Sequence, residues 1–190
     1  VYRVKGCLDE LALEKSFKEI LSRHEVLRTV IQENQGIAYQ EVINSEEFRI
    51  TKHDGINTND LSNFIEKRIQ VPFVLDKDYM LRVDLIKLGN DDHVLLCVMH
   101  HIASDGWSMS IFFEEFVNYY NSLINGTTPD LKPLSIQYSD YSIWQRNYLQ
   151  GDVLAKKLSY WEDHLDGVVP LELPTDYRRP AIQSTKGAYY

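Results

Sequence analysis

The 190-residue chain carries 28 acidic and 20 basic side chains, a formal net charge of −8, with 44% hydrophobic and 25% charged residues. This is the composition of one soluble globular unit large enough for a core, and it excludes a disordered chain, a nucleic-acid surface and a basic membrane stripe. With no signal-peptide pattern and no apolar run of spanning length, a cytoplasmic location is expected, in which Cys7 and Cys97 stay reduced and unpaired.

Tyr2 to Lys5 alternates as a strand does. Asp9 is placed to cap a helix whose stripe Leu13, Phe17, Ile20, Leu21 and His24 follows helical spacing. Val26 to Ile31 reads as a second strand, turning through Glu33, Asn34, Gln35 and Gly36 into Ile37 to Val42, a hairpin pattern. Phe48 to Lys52 reads as a further strand. Thr58 or Asn59 caps a helix carrying Leu61, Phe64, Ile65 and Ile69, which must end before Pro72. Leu81 to Leu88 and Val94 to Ile102 flank Gly89, Asn90, Asp91 and Asp92, a strong hairpin signal.

The second strand of that hairpin organises the rest. Val94 to Ile102 is almost wholly apolar, the pattern of a strand buried on both faces. His100 and His101 end it, and Ala103 to Gly106 turn the chain into an amphipathic helix from Trp107 to about Leu123. Alternate strand side chains point to opposite faces, so only one of the two histidines faces a given substrate. Gly126 to Pro133 reads as a loop, and the sequon Asn125, Gly126, Thr127 as a helix-ending turn. Ser139 to Leu149 and Val153 to Leu165 read as aromatic-rich helices packing across the sheet. Pro170 to Ile182 carries three prolines and reads as a connector, with Ala188 to Tyr190 beginning another strand. There is no internal repeat, glycine-rich phosphate loop or cysteine-based metal pattern. Strands mixed with helices, a hairpin among them, give an α/β class with a mixed sheet.

His100, His101, Asp105 and Gly106 spell HHxxxDG, followed by Trp107 and Ser108. This resembles the central motif of the condensation domains of non-ribosomal peptide synthetases. Arg23 to Thr29 (RHEVLRT) resembles that family's RHExLRT, Tyr138 to Trp144 (YSDYSIW) its YxDxxxW, and Leu173 to Asp176 (LPTD) a common downstream stretch, all in the family's order. The family's domain is more than twice this long, and its opening SxxQxRLW-like stretch is not found before Val1. The resemblance therefore implies the N-terminal lobe, truncated at both ends, with residues 1–169 as core and 170–190 as connector toward a second lobe. It sharpens the fold class to an α/β chloramphenicol-acetyltransferase-like lobe with a mixed sheet packed with helices.

The resemblance implies an acyltransferase: the amine of an acceptor aminoacyl thioester attacks the carbonyl of a donor acyl or peptidyl thioester. Phosphopantetheine arms of partner carrier domains hold both substrates, no cofactor is bound by the domain itself, and an adenylation domain belongs to the same synthetase. The family's functional histidine falls on His101, as general base or positioning acceptor. For the oxyanion, the backbone N–H groups of Gly106 and Trp107 are candidates because they open the next helix; the alternative is that Gly106 only permits a tight turn. Sequence spacing gives Asp105 no contact with His101. The resemblance pairs it with Arg28 in a structural salt bridge; the alternative is an exposed Asp105 capping the helix. His100 and Trp107 complete the expected structural support. A metal site on His100, His101 and Asp105 is disfavoured, since adjacent strand histidines diverge. An epimerisation domain of the same superfamily and a non-catalytic carrier-docking lobe are the rival functions.

Overall fold

The computed structural model describes residues 1–182 and divides into two compact units, Val1–Trp144 and a second beginning at Gln145. The strand expected over Ala188 to Tyr190 lies outside the described residues, as does the end of the expected connector.

In the first unit the elements run β1 (Tyr2–Lys5), α1 (Glu10–Arg23), a 3-10 turn (Glu25–Arg28), β2 (Thr29–Asn34), β3 (Ile37–Val42), β4 (Thr51–His53), α2 (Leu61–Ile69), β5 (Leu81–Gly89), β6 (Asp92–Met99) and α3 (Gly106–Asn125). A mixed sheet of order β1-β6-β5-β4 forms its centre, antiparallel across β1, β6 and β5 and parallel between β5 and β4. β2 and β3 pair apart from it as a two-stranded ribbon, and every residue of β3 is exposed.

Alternation along the sheet sorts its two faces. Val83 lies opposite Cys97 and Leu85 opposite Leu95, and with Leu81 these side chains join Phe17, Ile20 and Leu21 of α1 and Phe112 and Phe116 of α3 in one cluster. Phe17 stacks on Phe116 with ring centroids 4.5 Å apart. Each such side chain, fully buried, contributes about 1.5–3 kcal/mol, so α1 and α3 are fastened to this face. The opposite face carries Asp84, Ile86, Val94 and Leu96, all buried. β6 is therefore buried on both faces over Val94 to Leu96, as its continuous apolar run predicts, but it ends at Met99 and leaves both histidines in the turn that follows.

Capping fixes the helices. Asp9 accepts from the amides of Leu11 and Ala12 at 3.0 and 2.9 Å, and α3 ends on Gly126, whose φ of 64° is the left-handed conformation glycine tolerates best. Two local expectations give way. Glu25–Arg28 is a 3-10 turn, not strand, because the amide of Leu27 bonds back to the carbonyl of His24 and Thr29 Oγ1 donates to that of Glu25. α2 is preceded by Asp60, which makes no side-chain cap, instead of being capped by Thr58 or Asn59.

α4 (Tyr138–Tyr148) straddles the boundary between the units, and α5 (Gly151–Leu165) belongs to the second. Both helices form where expected, yet neither has a buried residue. Ile143, Trp144, Leu158 and Trp161 on these helices are exposed. Residues 166–182 contain no helix or strand.

Candidate functional site

The turn from His100 to Asp105 is built by its own hydrogen bonds. The amide of His100 donates to the carbonyl of Met80 at 3.0 Å, and the amide of Ala103 donates back to His100 O at 3.0 Å. Ser104 Oγ donates to the same carbonyl at 3.3 Å. The His100 ring accepts from the amide of Ile102 through Nδ1 at 3.0 Å and sits edge-on to Phe73 at 5.6 Å. Arg82 lies over the other partner of that contact, 4.6 Å from the Phe73 centroid. His100 thus bonds within the turn through its ring and its carbonyl.

His101 is exposed. Its Nδ1 lies 3.0 Å from the carbonyl oxygen of Ser104. A carbonyl can only accept, so Nδ1 carries the proton, and in the neutral ring Nε2 is left as a lone-pair acceptor. The imidazole is oriented by the turn it belongs to, with its basic nitrogen on the far side from that anchor.

Asp105 caps α3. Its Oδ1 accepts from the Ser108 amide at 2.9 Å and the Ser108 hydroxyl at 2.7 Å, while Ser108 Oγ accepts from the Asp105 amide at 3.2 Å, a reciprocal capping box. The Ser108 hydroxyl first, then its backbone amide, hold the Asp105 carboxyl below its ordinary range, with a smaller contribution from the Trp107 amide. This corrects the expected Arg28–Asp105 salt bridge. Arg28 instead donates to the carbonyls of Leu21 and Ile43 at 2.9 and 2.8 Å and reaches Glu25 at 3.5 Å, so its guanidinium is committed elsewhere. Asp105 is a helix cap, and Arg28 laces α1 to the residue after β3.

Trp107 is corrected as a packing support: its side chain is 88% exposed, so it does not brace the loop by packing. Gly106 is the first residue of α3, has no left-handed φ, and a Cβ built on it meets nothing within 4 Å. Neither the turn geometry nor crowding requires glycine there.

Two adjoining clefts flank this turn. One, of about 360 Å³, is lined by His101, Ile102, Asp105 and Tyr138; the other, of about 160 Å³, by His24, Leu27, Met99, Ile111 and Phe112. Val26, Ala103, Ser104 and Ser108 line both. Beside the smaller cleft lies a charged cluster that the motif spacing does not announce. Glu115 of α3 takes Arg23 Nε at 3.0 Å and His24 Nε2 at 2.5 Å, with little of any of the three exposed. Gln137 ties the same segment to the start of α4, donating to Arg23 O at 2.9 Å and accepting from the Glu25 amide at 3.2 Å. The available signal was Glu115 itself, a carboxylate between Phe112 and Phe116 on the apolar stripe of α3. A second such cluster lies on the other sheet face, where fully buried Asp84 takes His53 at 2.7 Å and Arg68 at 2.8 Å.

The family model described as the condensation domain matches residues 1–190. Malpinin synthetase of Mortierella alpina is 39% identical over 190 residues, covering 97% of this chain and 2% of that protein. Cyclosporin synthetase of Tolypocladium inflatum is 37% identical over 186 residues, covering 96% of this chain and 1% of that protein. The chain therefore spans a small fraction of the curated relatives it matches. Among solved structures, the X-domain from teicoplanin biosynthesis in its complex with OxyB is 32% identical with a TM-score of 0.86, over 95% of this chain and 40% of that one. The epimerization domain from the third module of tyrocidine synthetase B shares the fold at a TM-score of 0.76 and 22% identity, over 94% of this chain and 42% of that one.

Proposed function

The chain belongs to the condensation-domain family, and from that premise we propose that its His101 turn forms the catalytic side of a site for amide-bond formation between carrier-bound thioesters. The observation that carries the reading is the His101 ring: exposed, held through Nδ1–H by Ser104 O, with Nε2 left to accept. Relatives that are peptide synthetases support the substrate class, a donor acyl or peptidyl thioester and an acceptor aminoacyl thioester. Phosphopantetheine arms of carrier domains bring both, and an adenylation domain of the same synthetase loads them. The second lobe of the domain closes the site.

An α-amine titrates at about 7.7–8.0, so at pH 7 roughly a tenth of it or a little more is already nucleophilic. Attack on the thioester carbonyl forms the C–N bond and gives a tetrahedral intermediate with a cationic nitrogen and an oxyanion. Nε2 of His101 orients the amine and accepts its proton; the oxyanion collapses, the C–S bond breaks, and the thiolate leaves with the electron pair. With a thiol titrating at about 8.5, departure requires little acid assistance, and the proton on His101 returns to sulfur or solvent. Gly106 N–H, at the first position of α3, is the oxyanion donor in this reading.

His101→Ala in the complete synthetase is expected to lower dipeptide formation by about 10²- to 10⁴-fold with carrier binding and fold retained. Wild-type turnover would remove the catalytic role. The second reading, a domain that serves to dock a partner, is favoured by the likeness to an X-domain found in complex with OxyB. It predicts no turnover with either histidine present. Epimerisation is tested in the same assay by solvent deuterium at the α-carbon of a carrier-bound residue.

A further inference from the structure

We propose that Phe73 and Arg82 are positioning residues for His101: stacked behind His100, they fix the turn that aims the neighbouring imidazole. This rests on the condensation reading of His101 and adds to it two side chains that line neither cleft.

Sheet geometry puts Arg82 behind the turn. It shares a face of β5 with Asp84, away from α1 and α3, and its partner across the ladder, Val98, stands two residues before His100. Arg82 Nη2 donates to the carbonyls of Val71 at 2.8 Å and Arg68 at 3.2 Å, at the C-terminal end of α2, where a cation is favoured. Its Nε is buried with no hydrogen-bond acceptor among the described residues. The aromatic face of Phe73 takes the place of one: the guanidinium carbon lies 4.6 Å from the ring centroid, and a cation kept from water gains most from such a face. Phe73 is thereby pinned, and its ring meets the His100 ring at 78° with centroids 5.6 Å apart.

From His100 the constraint reaches His101 through the turn itself. His100 Nδ1 takes the amide of Ile102, and His100 O takes the amide of Ala103 and the hydroxyl of Ser104. The Ser104 carbonyl in turn takes the Nδ1–H of His101. A His100 ring free to tilt lets go of the Ile102 amide, and the peptide units that set Ser104 O shift with it, as does the direction of His101 Nε2. Displacing a reacting group by about 1 Å can cost about 10²-fold in rate, and here the hydrogen bonds of the turn limit the displacement, so a loss of about tenfold is expected.

The test is dipeptide formation by the complete synthetase. Phe73→Leu, which keeps an apolar side chain and removes the ring, is expected to lower kcat about tenfold with KM for both loaded carriers unchanged. Phe73→Tyr, which restores the ring, is expected to recover most of that loss. Arg82→Lys keeps the charge without the flat cation and is expected to lower kcat about threefold; it keeps the test available should Phe73→Leu fold poorly. The deciding background is His101→Ala. With the imidazole gone, Phe73→Leu and Arg82→Lys are expected to change the residual rate by less than about twofold, whereas a general loosening of the domain would lower it there as well. Wild-type kcat in both single variants, the full loss repeated in the His101→Ala background, or a raised KM with kcat unchanged overturns the positioning role. Wild-type turnover in His101→Ala alone instead overturns the condensation reading, and the positioning role falls with it.

Discussion

Arg23 to Thr29 and His100 to Trp107 contribute to the same cleft wall and are built in opposite ways. In the first, nearly every polar end is spent inside the fold: Arg23 and His24 on Glu115, Arg28 on two carbonyls, Thr29 on the carbonyl of Glu25. Leu27 is buried and its carbonyl takes the amide of Met80. In the second, the internal bonds engage His100, Ser104, Asp105 and one nitrogen of His101, and Nε2 of the exposed imidazole remains an acceptor. Equally regular motifs thus do different work, and what separates them is whether a side chain keeps an uncommitted polar atom facing outward.

The largest expected effect comes from breaking the first motif. Glu115→Ala leaves Arg23 and His24 without their shared carboxylate in a mostly buried place, and is expected to cost about 3–5 kcal/mol in chemical denaturation of the complete domain. His101→Ala, at an exposed position, should change stability by no more than about 0.5 kcal/mol while removing activity. Equal stability losses for the two would erase the contrast.

Next in size is a change within the second motif that isolates one amide. Gly106 is the first residue of α3, where proline is welcome because its missing N–H lies among those without an intrahelical partner. Gly106→Pro should therefore fold normally yet lower kcat by about 10²- to 10³-fold if that N–H serves the oxyanion. Gly106→Ala, whose Cβ meets nothing, should leave kcat unchanged. A proline variant as active as the alanine one sends the oxyanion elsewhere.

A smaller effect sharpens the same division between closed and open groups. Cys97 packs against the core, and burial pushes its thiol up to about 12, whereas Cys7 is exposed. In the unfolded chain the Cys97 thiol ionises at about 8.5, so above that pH the unfolded state binds fewer protons than the folded one. The contribution is intact at neutral pH and is lost as pH climbs toward 12, about tenfold in the folding equilibrium per unit. Cys97→Ala should flatten this alkaline fall in denaturation curves at about pH 8 and about pH 10.5, and in native protein only Cys7 should take up a thiolate-directed reagent.

What the sequence disclosed follows the range of each signal. Asp9 before its apolar stripe, Gly89 to Asp92 between two apolar runs, and Gly126 after α3 are local signals, and the structure has the corresponding cap, hairpin and helix end. The run from Val26 to Ile31 misleads because its β-branched residues suit a strand, while His24 O and Thr29 Oγ1 draw the first half into a turn. In α4 and α5 the aromatic content announces a surface to be covered, and it does not say by what. At the site, the two histidines lie in a turn and not on the strand whose alternation the sequence offered as the rule for them. The Glu115 and Asp84 clusters were not, because each joins residues from distant segments and only a lone carboxylate in an apolar run marks them.

The smallest effect is the coupling between Arg28 and Asp105, and here the expected result is none. Arg28 holds the carbonyls of Leu21 and Ile43, whereas Asp105 holds Ser108, so the two side chains have no partner in common. Single alanine substitutions should each lower the melting temperature, and the double variant should lose the sum. They should also part with pH. The Asp105 carboxyl is held below its ordinary range by Ser108, so the cap contributes fully at pH values above that range and is lost as pH falls through the depressed value. Wild type and Asp105→Ala are then expected to converge in acid, while the gap between wild type and Arg28→Ala persists, since a guanidinium keeps its charge there. A non-additive pair, or an Arg28→Ala gap that closes together with the Asp105 one, would restore the salt bridge that the structure replaces with two separate anchors.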